Sequence, residues 1–263
     1  MKMSTRVVYL VVAALILLTP LAAEPPTVTF ALNSPGSGAN LAGVYTSPYT
    51  GTINGGPTTN VICDDFADES YVPETWTAYQ TSLSSLTSSA DPYLNWQTST
   101  YSQASSLTQT QDYQVAAILA IKILQASTGS TQQKDLSFAL WALFDPYGNG
   151  NPSDPGALGQ LSAYGDTSDI NAAIADLNAA IGDLTTGING QSVSAYLSNY
   201  NVTIYSWDKA AGAPTGACGG PCPAPQEFIT VTAPEASTPV VLAADLLGLG
   251  IIGLLRKRIL LNS

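Results

Sequence analysis

Residues 59–66, TNVICDDF, read as a β-strand: Val61 and Ile62 are β-branched, and the turn-forming run Asn54-Gly55-Gly56 stands just before them. The pattern extends in both directions. Toward the N-terminus, residues 25–59 are rich in Gly, Pro, Asn, Ser and Thr, with Val28-Thr29-Phe30, Val44-Tyr45 and Tyr49-Thr50 set between turns at Pro35-Gly36 and Asn54-Gly55-Gly56. Short strands joined by tight turns have this composition. Toward the C-terminus, residues 71–79, YVPETWTAY, predict a neighbouring strand with Trp76 as an anchor for the core.

Residues 79–111 then become almost purely Ser, Thr, Gln and Ala, broken by Asp91-Pro92 and by Tyr93, Leu94 and Trp96. This composition predicts an extended surface segment with some local helix. Residues 112–126 are apolar nearly all round (Val115, Ala116, Ile118, Leu119, Ile121, Leu124), the mark of a buried helix. A second helix, Thr131–Phe144, places Leu136, Ala139, Leu140 and Leu143 on one stripe and Phe138 and Trp141 beside it, and it stops at Asp145-Pro146. Residues 147–159 read as a Gly, Asn and Pro loop. Ser168 caps a third helix with Ile170, Ile174, Leu177, Ile181 and Leu184 at helical spacing and Asp169, Asp176 and Asp183 on the opposite, solvated side. A short helix over 191–200 and strands over 201–207 and 226–232 complete the body. Strands at both ends with helices between predict an α+β fold: short N-terminal and C-terminal strands in a sheet or partial barrel, a central group of helices, and a C-terminal transmembrane helix.

The two ends of the chain carry addresses. Lys2 and Arg6 precede an apolar run over 7–18, and Ala22 and Ala23 follow, so residues 1–23 read as a secretory signal cleaved near Ala23. Residues 233–263 hold Pro234-Glu235-Ala236, an apolar run over 239–255, and the cations Arg256, Lys257 and Arg258. At about 1.5 Å per residue that run is about 26 Å long, just short of a ~30 Å hydrocarbon core, and the cations halt its passage. Asp245 inside so short a span suits a transient hold. Residues 24–232 form the exported domain, long enough to bury a core without staples. The whole chain has a net charge of −11, but residues 24–234 keep three lysines against seventeen acids, a net of −14. Such a surface repels nucleic acid and attracts cations or cationic partners.

The chain has no His, so neither a Ser–His nor a Cys–His nucleophile pair exists; no catalytic residue is assigned and the protein reads as a non-enzyme. Asp64 and Asp65, side by side on a strand, are expected to point to opposite faces. Of the three cysteines, Cys218 and Cys222 are the candidates for a disulfide across a Gly/Pro loop, which leaves Cys63. Asp145, Asn149, Asn151 and Asp154 in the loop DPYGNGNPSD offer oxygen ligands at short spacing and are the candidates for calcium, the one cofactor considered. Gly248, Gly250 and Gly253 match a dinucleotide fingerprint in letters but lie inside the apolar run with no acidic residue after them, so they carry no nucleotide reading.

The order of Pro-Glu motif, apolar span and basic stop resembles the PEP-CTERM sorting signal of exported Gram-negative bacterial proteins, with Ala236 where that family has a second Pro. The resemblance implies export, a brief stay in the inner membrane, and cleavage near Pro234-Glu235 by a sorting peptidase of exosortase type. It implies release to the cell surface or extracellular matrix, with exopolysaccharide or matrix components as partners and a structural or interaction role. A second resemblance lies in the body. Cys63 and the helix Ser137-Phe138-Ala139-Leu140-Trp141 resemble the two halves of the thioester domain of bacterial surface adhesins. In that family a strand Cys joins covalently to the Gln of a Gln-x-Ala-hydrophobic-Trp helix. Cys63, Ala139 and Trp141 match; Ser137 stands at the Gln position, and Gln133, one turn earlier on the same helix face, is the candidate partner. A thioester-type adhesin and a calcium-dependent binding module are therefore the alternatives to a matrix protein.

Overall fold

Burial alternates along β1 (Thr27–Ser34), so Val28, Phe30 and Leu32 share one buried face. β2 (Asn40–Leu41) and β3 (Val44–Tyr45) form a small hairpin of their own, and β4 (Tyr49–Ile53), β5 (Thr59–Cys63) and β6 (Glu74–Ser82) follow. Five helices come next: α1 (Gln109–Gln125), α2 (Thr131–Phe144), α3 (Gly156–Ala163), α4 (Thr167–Thr186) and α5 (Val193–Leu197). β7 (Asn201–Trp207), β8 (Thr215–Gly216) and β9 (Phe228–Thr232) end the domain. The computed structural model describes residues 24–36, 39–87, 90–148, 154–218 and 222–233. The signal segment 1–23 and the tail with Pro234, Glu235, Ala236, the run 239–255 and Arg256, Lys257 and Arg258 lie outside the described residues.

The strands neighbour one another in the order β1-β4-β5-β9-β7-β6, and β6 returns to pair with β1. Every pairing is antiparallel, and the first and last strands of the series match Thr27 to Tyr79 through Leu32 to Glu74. The sheet is therefore a closed six-stranded barrel with helices, which corrects the expected sheet or partial barrel with a transmembrane helix. β8 adds only a short extension beside Glu74 and Thr75. Among the described residues no helix is long and apolar enough to cross a membrane. Closure depends on which strands meet in space, and alternation within each strand carries no trace of that.

Aromatic side chains fill the barrel. Phe30 lies 4.7 Å from Trp76, 5.3 Å from Tyr205 and 5.4 Å from Phe228 between ring centroids, and Tyr49 meets Phe228 edge-on at 5.8 Å. Gly51 lets β4 close on β1: a Cβ there would stand 2.8 Å from the Ala31 carbonyl oxygen. The Phe30 ring reaches to 3.7 Å from the same point.

The helices begin where side chains can satisfy their first amides. Thr108 and Gln111 form a capping box, so α1 starts three residues before the apolar run. Ser130 caps α2, and Asp166 rather than Ser168 caps α4. α2 packs on α1 and α4, and α1 packs on β9. In α4 the fully buried stripe is Ala173, Leu177 and Ala180, while Ile170, Ile174, Ile181 and Leu184 are only partly buried. The small Ala173 and Ala180 are buried against the neighbouring helices, and Asp169, Asp176 and Asp183 are half-buried beside them. Asp183 pairs with Lys122 at 3.4 Å, and burial together with Asp169 and Asp176 pushes the Asp135 carboxyl up to about 7. The expected solvated acidic face is thus a half-buried seam between helices.

Two stretches read as surface are structural. Helix α3 occupies part of the segment expected as loop, and its Gln160 side chain donates to the Ala42 carbonyl at 2.8 Å. In the Ser/Thr-rich segment, β6 runs on to Ser82, and Leu83, Leu94, Tyr101 and Ala104 are buried. Ser99 and Thr100 donate their hydroxyls to the carbonyls of Leu143 and Phe144. Those carbonyls end α2 and have no partner within the helix, so the polar segment closes a helix end.

Replacing Phe30 by Ala removes the ring at the centre of the barrel's aromatic cluster. The expected cost is about 3–5 kcal/mol of unfolding free energy, measured as a lowered denaturant midpoint at unchanged slope.

Candidate functional site

β5 leaves the barrel at Cys63, directly opposite Phe228 at the start of β9. The chain beyond each strand end is acidic: Asp64 and Asp65 on one side, Glu227 on the other. The Asp64 amide donates to the Glu227 carbonyl at 3.3 Å, so both strand exits are pinned together. α1 and the segment before it cover this junction, which buries Asp64, Asp65 and Glu227 almost completely.

Glu227 is well supplied with donors. Its carboxylate accepts from the Tyr113 hydroxyl at 2.5 Å, from the Asn95 amide at 2.9 Å, and from the Ser206 hydroxyl. Asp64 has no such supply, since neither of its oxygens receives a hydrogen bond. Burial, reinforced by the charges of Glu227 and Asp65, raises its pKa well above the carboxylate range, so it holds a proton toward Glu227. Asp65 accepts from the Ala67 and Asp68 amides at 3.0 and 3.2 Å and from the Asn95 side chain at 3.0 Å. Burial first, and the charges of Asp68 and Glu227 next, still push it up to about 7. The two adjacent aspartates were expected on opposite faces; the chain bends after Cys63, and both end in one buried cluster.

A cleft of about 470 Å³ opens beside this cluster, with Asp65, Asp68, Asn95 and Asp208 among the groups that line it. Its aromatic wall contains Tyr79 and Tyr93, whose ring centroids are 4.8 Å apart, together with Trp96 and Trp207. Trp96 lies flat on Phe144 at 5.3 Å, and the Lys209 ammonium sits 5.9 Å over the Trp207 ring. Asn95 joins the two environments, with its main chain on Glu227 and its side chain on Asp65. Sequence reasoning missed this site because its parts come from four separate stretches. The one signal present was the cluster of Tyr93, Leu94 and Trp96 inside an otherwise polar segment.

Cys63 is fully buried and its thiol donates to the Asp65 carbonyl at 3.0 Å. Burial, then the charges of Asp65 and Asp64, push that thiol well up and keep it protonated. The Trp141 indole donates to the Cys63 carbonyl at 2.9 Å, which ties α2 to the end of β5. Gln133 is elsewhere: in the first turn of α2 its side chain donates to the Ile123 carbonyl at 3.0 Å and accepts from the Gly129 amide at 2.8 Å. Eight residues of helix, about 12 Å of rise, separate it from Trp141. Ser137 lies between them, buried, with its hydroxyl on the Gln133 carbonyl at 3.0 Å. The structure thus brings Cys63 to Trp141 and does not bring it to Gln133.

Cys218 and Cys222 are joined by a disulfide with Cα atoms 5.4 Å apart. Asp145 and Asp154 face each other at the start and end of the loop between α2 and α3, whereas Asn149 and Asn151 lie outside the described residues. Burial and the Asp154 charge push Asp145 up to about 6, with the Gly148 amide opposing. Among the described residues no three Asp, Glu, His or Cys side chains converge on a point where they would hold a metal.

No family model matches the chain, and no curated protein matches it. Among solved structures, it is similar to the N-terminal domain of the Streptococcus pyogenes pilus tip adhesin Cpa, at 11% identity over 81% of this chain and 95% of that one, with a TM-score of 0.38. It is similar also to the N-terminal thioester domain of fibronectin-binding protein SfbI from Streptococcus pyogenes, at 9% identity over 78% of this chain and 92% of that one, with a TM-score of 0.38. Both likenesses are too loose to assign a role to any residue of this chain.

The buried acids set the pH response of the fold. With Asp65 raised to about 7 and Asp64 and Glu227 raised as well, the folded chain keeps protons that the unfolded chain releases above about pH 4. This contribution is fully present below the ordinary carboxyl range and is lost as pH rises through about 7. The midpoint of thermal unfolding is expected to fall between about pH 5 and pH 8, and to fall less in Asp64→Asn, whose amide needs no proton.

Proposed function

We propose that the chain is an exported surface-binding module that holds a carbohydrate in the cleft beside Tyr93 and Trp207. The observation that carries this reading is the cleft itself, which aromatic rings line together with carboxylates and an amide. Flat rings take the apolar face of a sugar, while Asp68, Asn95 and Asp208 are placed to bind its hydroxyls. The acidic balance of the body favours neutral or amine-bearing sugars over anionic ones. The signal-like start and the sorting-like tail support delivery to the cell surface or matrix, with an exosortase-type peptidase as processing partner and exopolysaccharide as the natural source of ligand. Binding, not turnover, is the activity proposed.

A glycan array followed by calorimetry with the best oligosaccharide tests the reading. Tyr93→Ala and Trp207→Ala are each expected to weaken binding by about tenfold, roughly 1.4 kcal/mol, with little change in melting temperature. Absence of glycan binding, or binding indifferent to both substitutions, rejects it.

A second reading, a surface adhesin acting through a thioester, is favoured by the position of Cys63 at the β5 exit beneath Trp141. On this reading the Cys63 Sγ displaces ammonia from the Gln133 side-chain amide, which requires Gln133 to leave its bonds to Ile123 and Gly129. Intact mass of the folded chain with its Cys218–Cys222 bridge reduced decides: loss of one ammonia supports the thioester, and full mass with a Cys63 that titrates on denaturation rejects it.

A further inference from the structure

Among the described residues the large apolar side chains that stand exposed are Tyr45, Tyr71, Tyr147 and Tyr164. Three of these tyrosines gather at one place. Tyr45 and Tyr71 line a cleft of about 430 Å³ between the β2–β3 hairpin, the loop after β5 and the start of α3. The Tyr164 hydroxyl reaches the same rim at Gly43, where a Cβ would stand 2.5 Å from it. The more buried part of the lining includes Phe66 and Trp141, with ring centroids 5.2 Å apart. Exposed rings grouped around a concavity mark an interaction surface, because tyrosine brings a large contact area with few rotatable bonds.

The same lining fixes the charge of the occupant. It carries Asp68, Glu69 and Asp154 and no Lys or Arg. Glu69 accepts from the Tyr71 hydroxyl at 3.1 Å, which sets a carboxylate at the edge of an exposed ring. Lys209 acts on Asp68 from the neighbouring cleft, and no ion pair among the described residues reaches any of the three acids. A cation entering here displaces no partner. A guanidinium fits this lining better than an ammonium: its plane lies on a ring face while its edge N–H groups donate to carboxylates. An ammonium is a compact, strongly hydrated charge with no face to stack.

We propose that this face docks a partner protein through an arginine side chain seated in the cleft, with Tyr45, Tyr71 and Tyr164 covering the ground around it. Three rings at the rim offer more surface than a small free cation can bury, which selects a macromolecular source for the guanidinium. Residues 24–234 contain no Arg, so a second copy of this domain does not supply it. The partner is a different protein with a basic, arginine-bearing surface, drawn by the acidic balance of the body. The face is distinct from the carbohydrate cleft, whose Tyr93 and Trp207 take no part in it.

Fluorescence anisotropy tests the face, with the whole purified chain titrated into a labelled, end-capped peptide of three arginines separated by glycines. This peptide is expected to bind roughly fivefold tighter than its lysine counterpart. Tyr45→Ala and Tyr71→Ala, both at exposed positions, are each expected to weaken binding by roughly three- to tenfold at an unchanged melting temperature. Glu69→Gln is expected to weaken it as well. Asp176→Asn removes the same charge on α4 outside the cleft and should leave it unchanged, as should Tyr93→Ala and Trp207→Ala. No binding of the arginine peptide overturns the proposal, and so does equal binding of the arginine and lysine peptides. Affinity indifferent to both Tyr45→Ala and Tyr71→Ala, or equal losses in Glu69→Gln and Asp176→Asn, reduces the effect to net charge and overturns it too.

Discussion

The pairing of β1 with β6 is the constraint on which the rest of the structure depends. It brings Thr27 opposite Tyr79, joins the first strand to the sixth along the chain, and turns a row of short strands into a tube. Closure removes the unpaired edges that an open sheet of this size would present to other chains. It also decides where the aromatic residues go, since Phe30, Trp76, Tyr205 and Phe228 meet only if their strands surround a common interior. β6 serves both sides of the join, with β1 along one edge and β7 along the other.

A barrel must also let its chain in and out, and here the exits are acidic. The chain leaves β5 and enters β9 side by side, and the helical layer closes over Asp64, Asp65 and Glu227 at that point. The contact between barrel and helices is therefore polar as well as apolar. Trp141 reaches the Cys63 carbonyl and Tyr113 reaches Glu227, so α2 and α1 are each fastened to the barrel by a specific hydrogen bond. Donors carry the charge on Glu227, a held proton spares Asp64 from carrying one, and Asn95 links Glu227 and Asp65 to the cleft wall.

Much of the local structure was legible. The buried helix containing Val115, Ile118 and Leu119, the helix Thr131–Phe144, and the strands around Val61, Trp76 and Ile204 follow from periodicity and from turn residues at their ends. The misreadings have physical causes. In α4 the isoleucines outweigh the alanines by hydropathy, yet Ala173 and Ala180 are buried because small side chains permit the closest approach. The Ser/Thr-rich segment reads as solvated, yet Ser99 and Thr100 close the carbonyl end of α2. Asp64 and Asp65 read as pointing apart because a strand was assumed to continue past Cys63.

Local pattern by itself determined most of the helices and strands, though not α3, and the acidic balance of the body. These properties reside in neighbouring residues, where spacing and composition act directly. The tertiary structure alone decided that the strands close on themselves, that Cys63 meets Trp141 and not Gln133, and that Tyr93 and Trp207 share a cleft with Asp65. It alone set the Asp145 carboxyl against that of Asp154. Each of these is a meeting of residues far apart along the chain or turned by a bend. The packing of one barrel against one helical layer fixes such meetings, and no periodicity encodes them.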